Sequence, residues 1–213
     1  MSYKMRTLAA TAAIVISGYS VGTHAAMVGD PKAGEEKAGL CGGCHGPDGN
    51  SEDANNPRLA GQYAGYIAKQ VKDFKAALRA NNDTMAGMAA TVEADQDAWD
   101  IGAYFAQQKM KGSLTQPSKD LVAAGEKIFR NGNTESGVFP CISCHGESGK
   151  GKSANNSAFP VIGGQHRDYI IKQLKDFRAD ARTNDPAGMM NMVAKKLTDK
   201  EVEALAEYLS SKL

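Results

Sequence analysis

All four cysteines of the chain, and two of its four histidines, fall into two short runs, Cys41-Gly-Gly-Cys44-His45 and Cys141-Ile-Ser-Cys144-His145. Two thiols three positions apart share one helical turn, and each can add across a vinyl group of a porphyrin. The histidine that follows is then held beneath the iron as its proximal ligand. This is the attachment chemistry of a c-type haem. Cys41, Cys44, Cys141 and Cys144 are therefore expected to hold two haems covalently, and His45 and His145 to bind their irons. A zinc site also uses cysteine pairs, but these pairs lie about a hundred residues apart and each is followed at once by a histidine that a four-cysteine site does not need. A thioredoxin-like motif would require a βαβ context, and two disulfides would leave the repeated histidine unexplained.

A proximal histidine leaves the opposite face of each iron to be filled. The first half of the chain offers Met85 and Met88, the second Met189, Met190 and Met192, each group following an Asn-Asp pair. A thioether is a soft, neutral ligand that favours ferrous iron. Met85 lies seven residues before Val92, and Met190 seven before Leu197, which are the apolar residues just ahead of each half's final helix. That shared spacing selects Met85 and Met190. Anchoring on the final helix instead would pair Met85 with Met189. Of the histidines, His24 falls in a leader segment and His166 aligns with Tyr63, so His166 is read as a surface or inter-unit residue.

The elements that must position these groups recur. Ala33-Gly34-Glu35 precedes the first run and Ala124-Gly125-Glu126 the second. Pro57-Arg-Leu-Ala-Gly-Gln62 matches Pro160-Val-Ile-Gly-Gly-Gln165, and Tyr66-Ile-Ala-Lys-Gln-Val-Lys-Asp-Phe74 matches Tyr169-Ile-Ile-Lys-Gln-Leu-Lys-Asp-Phe177. This is a tandem duplication with one haem per unit. Each unit reads as three main helices. The first is capped by Asp30 with Pro31 at its first position, and by Asp120 in the second unit. The middle helix runs from about 66 to 79 and from 169 to 182. The last begins near Asp95 and Asp199, ending before Lys109 and at Leu213. The methionines fall in a loop between middle and last helices, and 130–140 reads as an extra loop. Tyr66, Phe74, Trp99, Tyr104 and Phe105 read as core packing.

Residues 1–26 read as a cleaved signal peptide. Lys4 and Arg6 give it a positive start, the apolar stretch 8–21 is shorter than the ~20 residues a membrane span needs, and small residues precede Ala26. The expected domains are unit one at 27–110, a linker at 111–119 and unit two at 120–213, in an all-α chain.

With haem run, proline loop, methionine segment and final helix in place, each unit resembles a class I cytochrome c domain, and the tandem arrangement resembles the dihaem cytochrome c4 family over essentially the whole mature chain. The resemblance implies that the carbonyls of Pro57 and Pro160 accept a hydrogen bond from the proximal histidines. It implies also that Gly34 and Gly125 allow the first and last helices to cross closely, and that the units pack face to face with haem propionates near the interface. By the same resemblance the chain is a periplasmic electron carrier and not an enzyme, moving single electrons from a quinol-oxidising complex to a terminal oxidase. The alternatives are a haem subunit of a dehydrogenase or oxidase complex and a dihaem peroxidase, which would need an open iron.

Charge adds an expectation about partners. Residues 27–110 hold 8 Lys/Arg against 12 Asp/Glu, and residues 111–213 hold 15 against 12. Such a dipolar molecule orients as it meets a charged redox protein, with the second unit facing an acidic partner and the first a basic one. Nothing in the basic residues forms a nucleic-acid platform. The expected species is a monomer, and a loose association with the membrane stays open.

Overall fold

The computed structural model describes residues 27–112, 116–154 and 156–212. The signal-peptide reading at 1–26 and the middle of the linker lie outside them. The described residues form two helical units with no strand; the sole extended pairing among them is an isolated bridge between Asn133 and Val138.

Unit one comprises α1 (Pro31–Lys37), α2 (Gly39–His45), α3 (Ala64–Lys75), α4 (Asp83–Ala90) and α5 (Asp95–Gln107). Unit two comprises α6 (Lys119–Asn131), α7 (Ile142–His145), α8 (Arg167–Arg178), α9 (Met189–Ala194) and α10 (Asp199–Ser210), with 3-10 turns at Glu147–Gly149 and Pro186–Gly188. The last helix is the hub of each unit, α5 against α1 and α3, and α10 against α6 and α8.

The first and last helices meet almost backbone to backbone. A β-carbon on Gly34 would lie 1.9 Å from the carbonyl oxygen of Asp100, and one on Gly125 would lie 2.0 Å from that of Ala204. The crossing is locked differently in the two units. In unit one the Asp100 carboxylate, 4% exposed, pairs with Lys37 at 2.5 Å and accepts the Asp30 backbone N–H at 2.8 Å. In unit two Phe129 and Tyr208, both wholly buried, stack at 5.3 Å between centroids.

Several boundaries differ from the sequence reading. Asp30 caps α1 as expected, accepting from the backbone of Lys32 and Ala33, but in α6 the N-cap position falls on Ser118, whose side chain makes no capping hydrogen bond, so Asp120 sits inside the first turn. There it faces the positive end of the helix dipole without capping. The middle helices begin two residues earlier and stop four residues sooner than periodicity suggests. Ala77 and Asp180 adopt φ of +55° and +56°, which ends each helix in the left-handed conformation. The methionine segments are short helices, α4 and α9, rather than loops. Asn82 and Asp185 accept backbone N–H groups at their starts. The extra loop begins at Gly132, because Arg130 and Asn131 still belong to α6.

Candidate haem sites

Helix α2 places Cys41, Cys44 and His45 on one turn, and α7 does the same for Cys144 and His145, with Cys141 at its cap position. None of the four thiols is in a disulfide. Cys41 and Cys141 are largely covered and Cys44 and Cys144 exposed. Burial pushes the Cys41 thiol up and that of Cys141 to about 11, so these sulfurs sit in surroundings that suit an uncharged thioether.

Both histidines are buried. His45 Nδ1 lies 2.8 Å from the carbonyl oxygen of Pro57, and His145 Nδ1 lies 3.0 Å from that of Pro160. A carbonyl can only accept, so Nδ1 carries the proton and the Nε2 lone pair is left for a metal. Burial lowers the proton affinity of both rings more than these carbonyls raise it, which favours the neutral form that a metal requires.

One continuous cavity runs through both units. Cys41, His45, Pro57 and Met85 line it from unit one, and Cys141, Cys144, His145, Pro160, Met189 and Met190 from unit two. Cys44 lies outside this lining. Its walls are largely aliphatic and aromatic, including Ile67, Val71 and Phe74 on one side and Ile170, Leu174 and Phe177 on the other. Free thiols, a neutral imidazole, a thioether and apolar walls form a donor set that fits a covalently held haem in each unit. Among the described residues no three His, Cys, Asp or Glu side chains converge as a metal cluster, so the two cysteine pairs do not combine into a zinc site.

Met88 and Met192 do not line the cavity, and Met192 is 61% exposed. Met189 and Met190 both do. The backbone N–H of Met85 donates to Asn82 Oδ1 at 2.9 Å, and that of Met190 donates to Asp185 Oδ2 at 2.6 Å. Ala89 and Ala194, each four residues further on, are both buried. The two helices therefore align Met85 with Met190.

Between the units lies a network that sequence reasoning assigned in part to core packing. Arg79 donates to the Tyr169 hydroxyl at 3.1 Å and to Gln173 at 2.9 Å, while Arg182 donates to the Tyr66 hydroxyl at 3.0 Å and to Gln70 at 3.1 Å. Each guanidinium stacks on its own unit's phenylalanine, Phe74 or Phe177, at 4.5 Å. Burial alone would raise the Tyr66 phenol, but Arg182, Arg79 and Lys69 lower it on balance. Gln62 and Gln165 clasp the opposite unit's proline loop in the same reciprocal way. His166 reaches Ser51 across the interface, with Nε2 at 2.9 Å from Oγ and 3.0 Å from the carbonyl oxygen, which places it between units, and it is not among the residues lining the cavity. The repeated Arg79 and Arg182, at equal distances after each Lys-Asp-Phe, were the signal available in the sequence.

The cytochrome c family profile matches residues 32–109 and 122–212. The chain is 45% identical over 187 residues to cytochrome c4 of Pseudomonas aeruginosa, covering 87% of this chain and 89% of that protein. It is 35% identical over 181 residues to the thiosulfate dehydrogenase electron acceptor of Thiomonas intermedia, covering 84% of this chain and 81% of that one. The crystal structure of reduced recombinant cytochrome c4 from Pseudomonas stutzeri is similar with a TM-score of 0.78 at 40% identity, covering 87% of this chain and 100% of that chain. The cofactors are two covalently bound c-type haems, one for each matched segment.

Proposed function

Because the chain belongs to the cytochrome c4 family of dihaem electron-transfer proteins, we propose that it carries single electrons in the periplasm from a quinol-oxidising respiratory complex to a terminal oxidase, without catalysing a reaction of its own. In this reading His45 and Met85 bind one iron and His145 and Met190 the other, with Cys41, Cys44, Cys141 and Cys144 as the covalent anchors. The mature protein comprises unit one at 27–110, a linker at 111–119 and unit two at 120–213. The bound haem supplies a one-electron ferric–ferrous couple.

The observation that carries the proposal is the pairing of a neutral, carbonyl-anchored imidazole with a methionine in each half of one apolar cavity. Pro57 and Pro160 hold the imidazole rings in orientation and raise their basicity as ligands. With Met85 and Met190 as second ligands, a bound iron would have no position for a substrate, which argues against a peroxidase. The apolar walls exclude water and keep the surroundings rigid through a change of charge. Among the described residues no helix is long and apolar enough to cross a membrane.

The test is a spectroscopic redox titration of the dihaem protein beside Met85→Ala and Met190→Ala. Each substitution is expected to abolish the methionine–iron charge-transfer band of one haem and to lower that haem's potential alone. If Met189→Ala does so and Met190→Ala does not, the register is wrong; a high-spin haem in the wild type overturns the carrier reading. The similarity to an electron acceptor of thiosulfate dehydrogenase favours a second reading, acceptance of electrons from a dehydrogenase, which comparative reduction rates with the two kinds of donor would separate.

A further inference from the structure

The duplication supplies an internal control for the surface. With Ala89 set against Ala194 and Asp95 against Asp199, the exposed residues Gly87, Ala90, Thr91 and Gln96 of unit one correspond to Met192, Lys195, Lys196 and Lys200 of unit two, which are exposed as well. The inward residues between them keep their character, Ala89 and Ala194 being buried and Val92 standing for Leu197. Only the outward side has changed, and the four changes run one way, to a large apolar group and three ammonium groups. Unit one carries in addition the exposed Glu93, which has no counterpart. The four residues of unit two adjoin. Lys195 and Lys196 follow Met192 by three and four positions and share its side of the helix, the Lys195 N–H still bonding to the Asn191 carbonyl at 3.1 Å. Lys200 stands in the first turn of α10. From α8, Arg178 reaches the same corner and donates to the Leu197 carbonyl at 3.2 Å.

Two of the three ammonium groups are uncommitted. Lys195 pairs with Asp180 at 2.7 Å and Arg178 with Asp199 at 2.6 Å, whereas no carboxylate pairs with Lys196 or Lys200 among the described residues. Met192 is 61% exposed, and a thioether on a flexible stem adapts its shape to the surface that meets it. Exposed cations around it steer an acidic surface into place, and because rim pairs add little affinity they also let it go. Such a face suits a partner that arrives fast and leaves fast. It lies on the helix that carries Met190, two residues before Met192. None of the four residues lines the cavity, so a haem bound there leaves the face exposed.

We propose that Met192, Lys195, Lys196 and Lys200 form the face on which the molecule docks an acidic redox protein, exchanging electrons with it through unit two. This rests on the dihaem carrier reading and narrows the charge difference between the halves to one surface. The test follows, by stopped flow, the second-order rate at which the reduced dihaem protein reduces plastocyanin, an acidic blue-copper protein, at low and high salt. Lys196→Glu combined with Lys200→Glu is expected to slow the reaction by on the order of tenfold at low salt, with the difference shrinking at high salt. Met192→Gln is expected to slow it severalfold and to leave its salt dependence as it was. Lys119→Glu combined with Lys127→Glu makes the same change of net charge at exposed positions of α6 and is expected to slow it far less. The methionine–iron band reports that each variant keeps its fold. An equal loss from the α6 variant would reduce the effect to net charge and overturn the proposal, as would an unchanged rate in the Lys196→Glu, Lys200→Glu variant. If that variant came off phosphatidylglycerol vesicles that hold the wild type, and reduced plastocyanin at the wild-type rate, the face would belong to a membrane surface and the proposal would fall. Absence of the methionine–iron band in the wild type would instead defeat the carrier reading, so the two failures are distinguishable.

Discussion

Asp100 sits where the first and last helices of unit one cross, and the hydrogen bond from Lys37, together with those from the Asp30 backbone and Gln96, holds its carboxyl down to about 2. An unfolded aspartate titrates near 3.9. Because the folded value is the lower one, the carboxylate's contribution is complete above about pH 4 and drains away as pH falls toward about 2. Unit two has Ala204 at the equivalent crossing. Unit one is therefore expected to lose its structure first on acidification, seen as an earlier change in one haem's spectrum. Asp100→Asn should lower stability at neutral pH and flatten the pH dependence between about 4 and 2. An unchanged acid profile in this variant would show that the pairing is not what holds the crossing. At this scale the sequence was most legible where chemistry demands a fixed spacing, as in Cys41 to His45 and Cys141 to His145. It was least legible for Asp100 and Lys37, whose partnership spans 63 positions and follows no local pattern. Asp120 illustrates the opposite error, a good capping residue standing as the second residue of a helix that begins at Lys119.

The helices were read correctly in number and order wherever apolar periodicity ran for three turns, as in α3 and α8. Their ends were not, because they are set by left-handed backbones at Ala77, a residue type that rarely adopts one, and at Asp180, a type that does so more readily but is far commoner elsewhere. The short α4 and α9 were missed because eight and six residues hold too few turns to show a period. The usable signs were Asn82, whose side chain caps α4, and Asp185, which accepts the Met190 N–H from three residues ahead of the N-cap of α9 at Gly188. The close crossing of α1 on α5 and of α6 on α10 gives a prediction at this scale. Gly34→Ala and Gly125→Ala each push a methyl group into a backbone carbonyl that cannot move without parting the helices. Each should cost at least about 2 kcal/mol, in the upper part of the range for overpacked cores, read as a lower denaturant midpoint. A variant within a few tenths of wild type would mean that the helices can separate cheaply.

The whole molecule is two units joined by reciprocal contacts, Gln62 and Gln165 on opposite proline loops and Arg79 and Arg182 on opposite tyrosines. Face-to-face packing is what the family resemblance implies and the repeated arginines hint at it, but the pairs themselves are not legible, since which residues meet depends on shape and pairing across ninety residues of chain or more. The duplication itself was plain, and so was the charge difference between halves, negative in 27–110 and positive in 111–213. That difference predicts a reaction rate with a charged redox partner that changes steadily with ionic strength; a rate indifferent to salt would remove steering from the account. The reciprocal interface has the form of an isologous dimer contact, in which every residue meets its own copy's partner. In a true homodimer any substitution appears twice, so the two sites are obliged to remain equal. Joining the copies in one chain lifts that obligation. Met192 can stand where unit one has Gly87, and Lys195 where it has Ala90, without altering the shared clasp. Linkage in a single chain thus allows two centres with the same ligand types to differ, so that their union has a direction that neither copy could have alone.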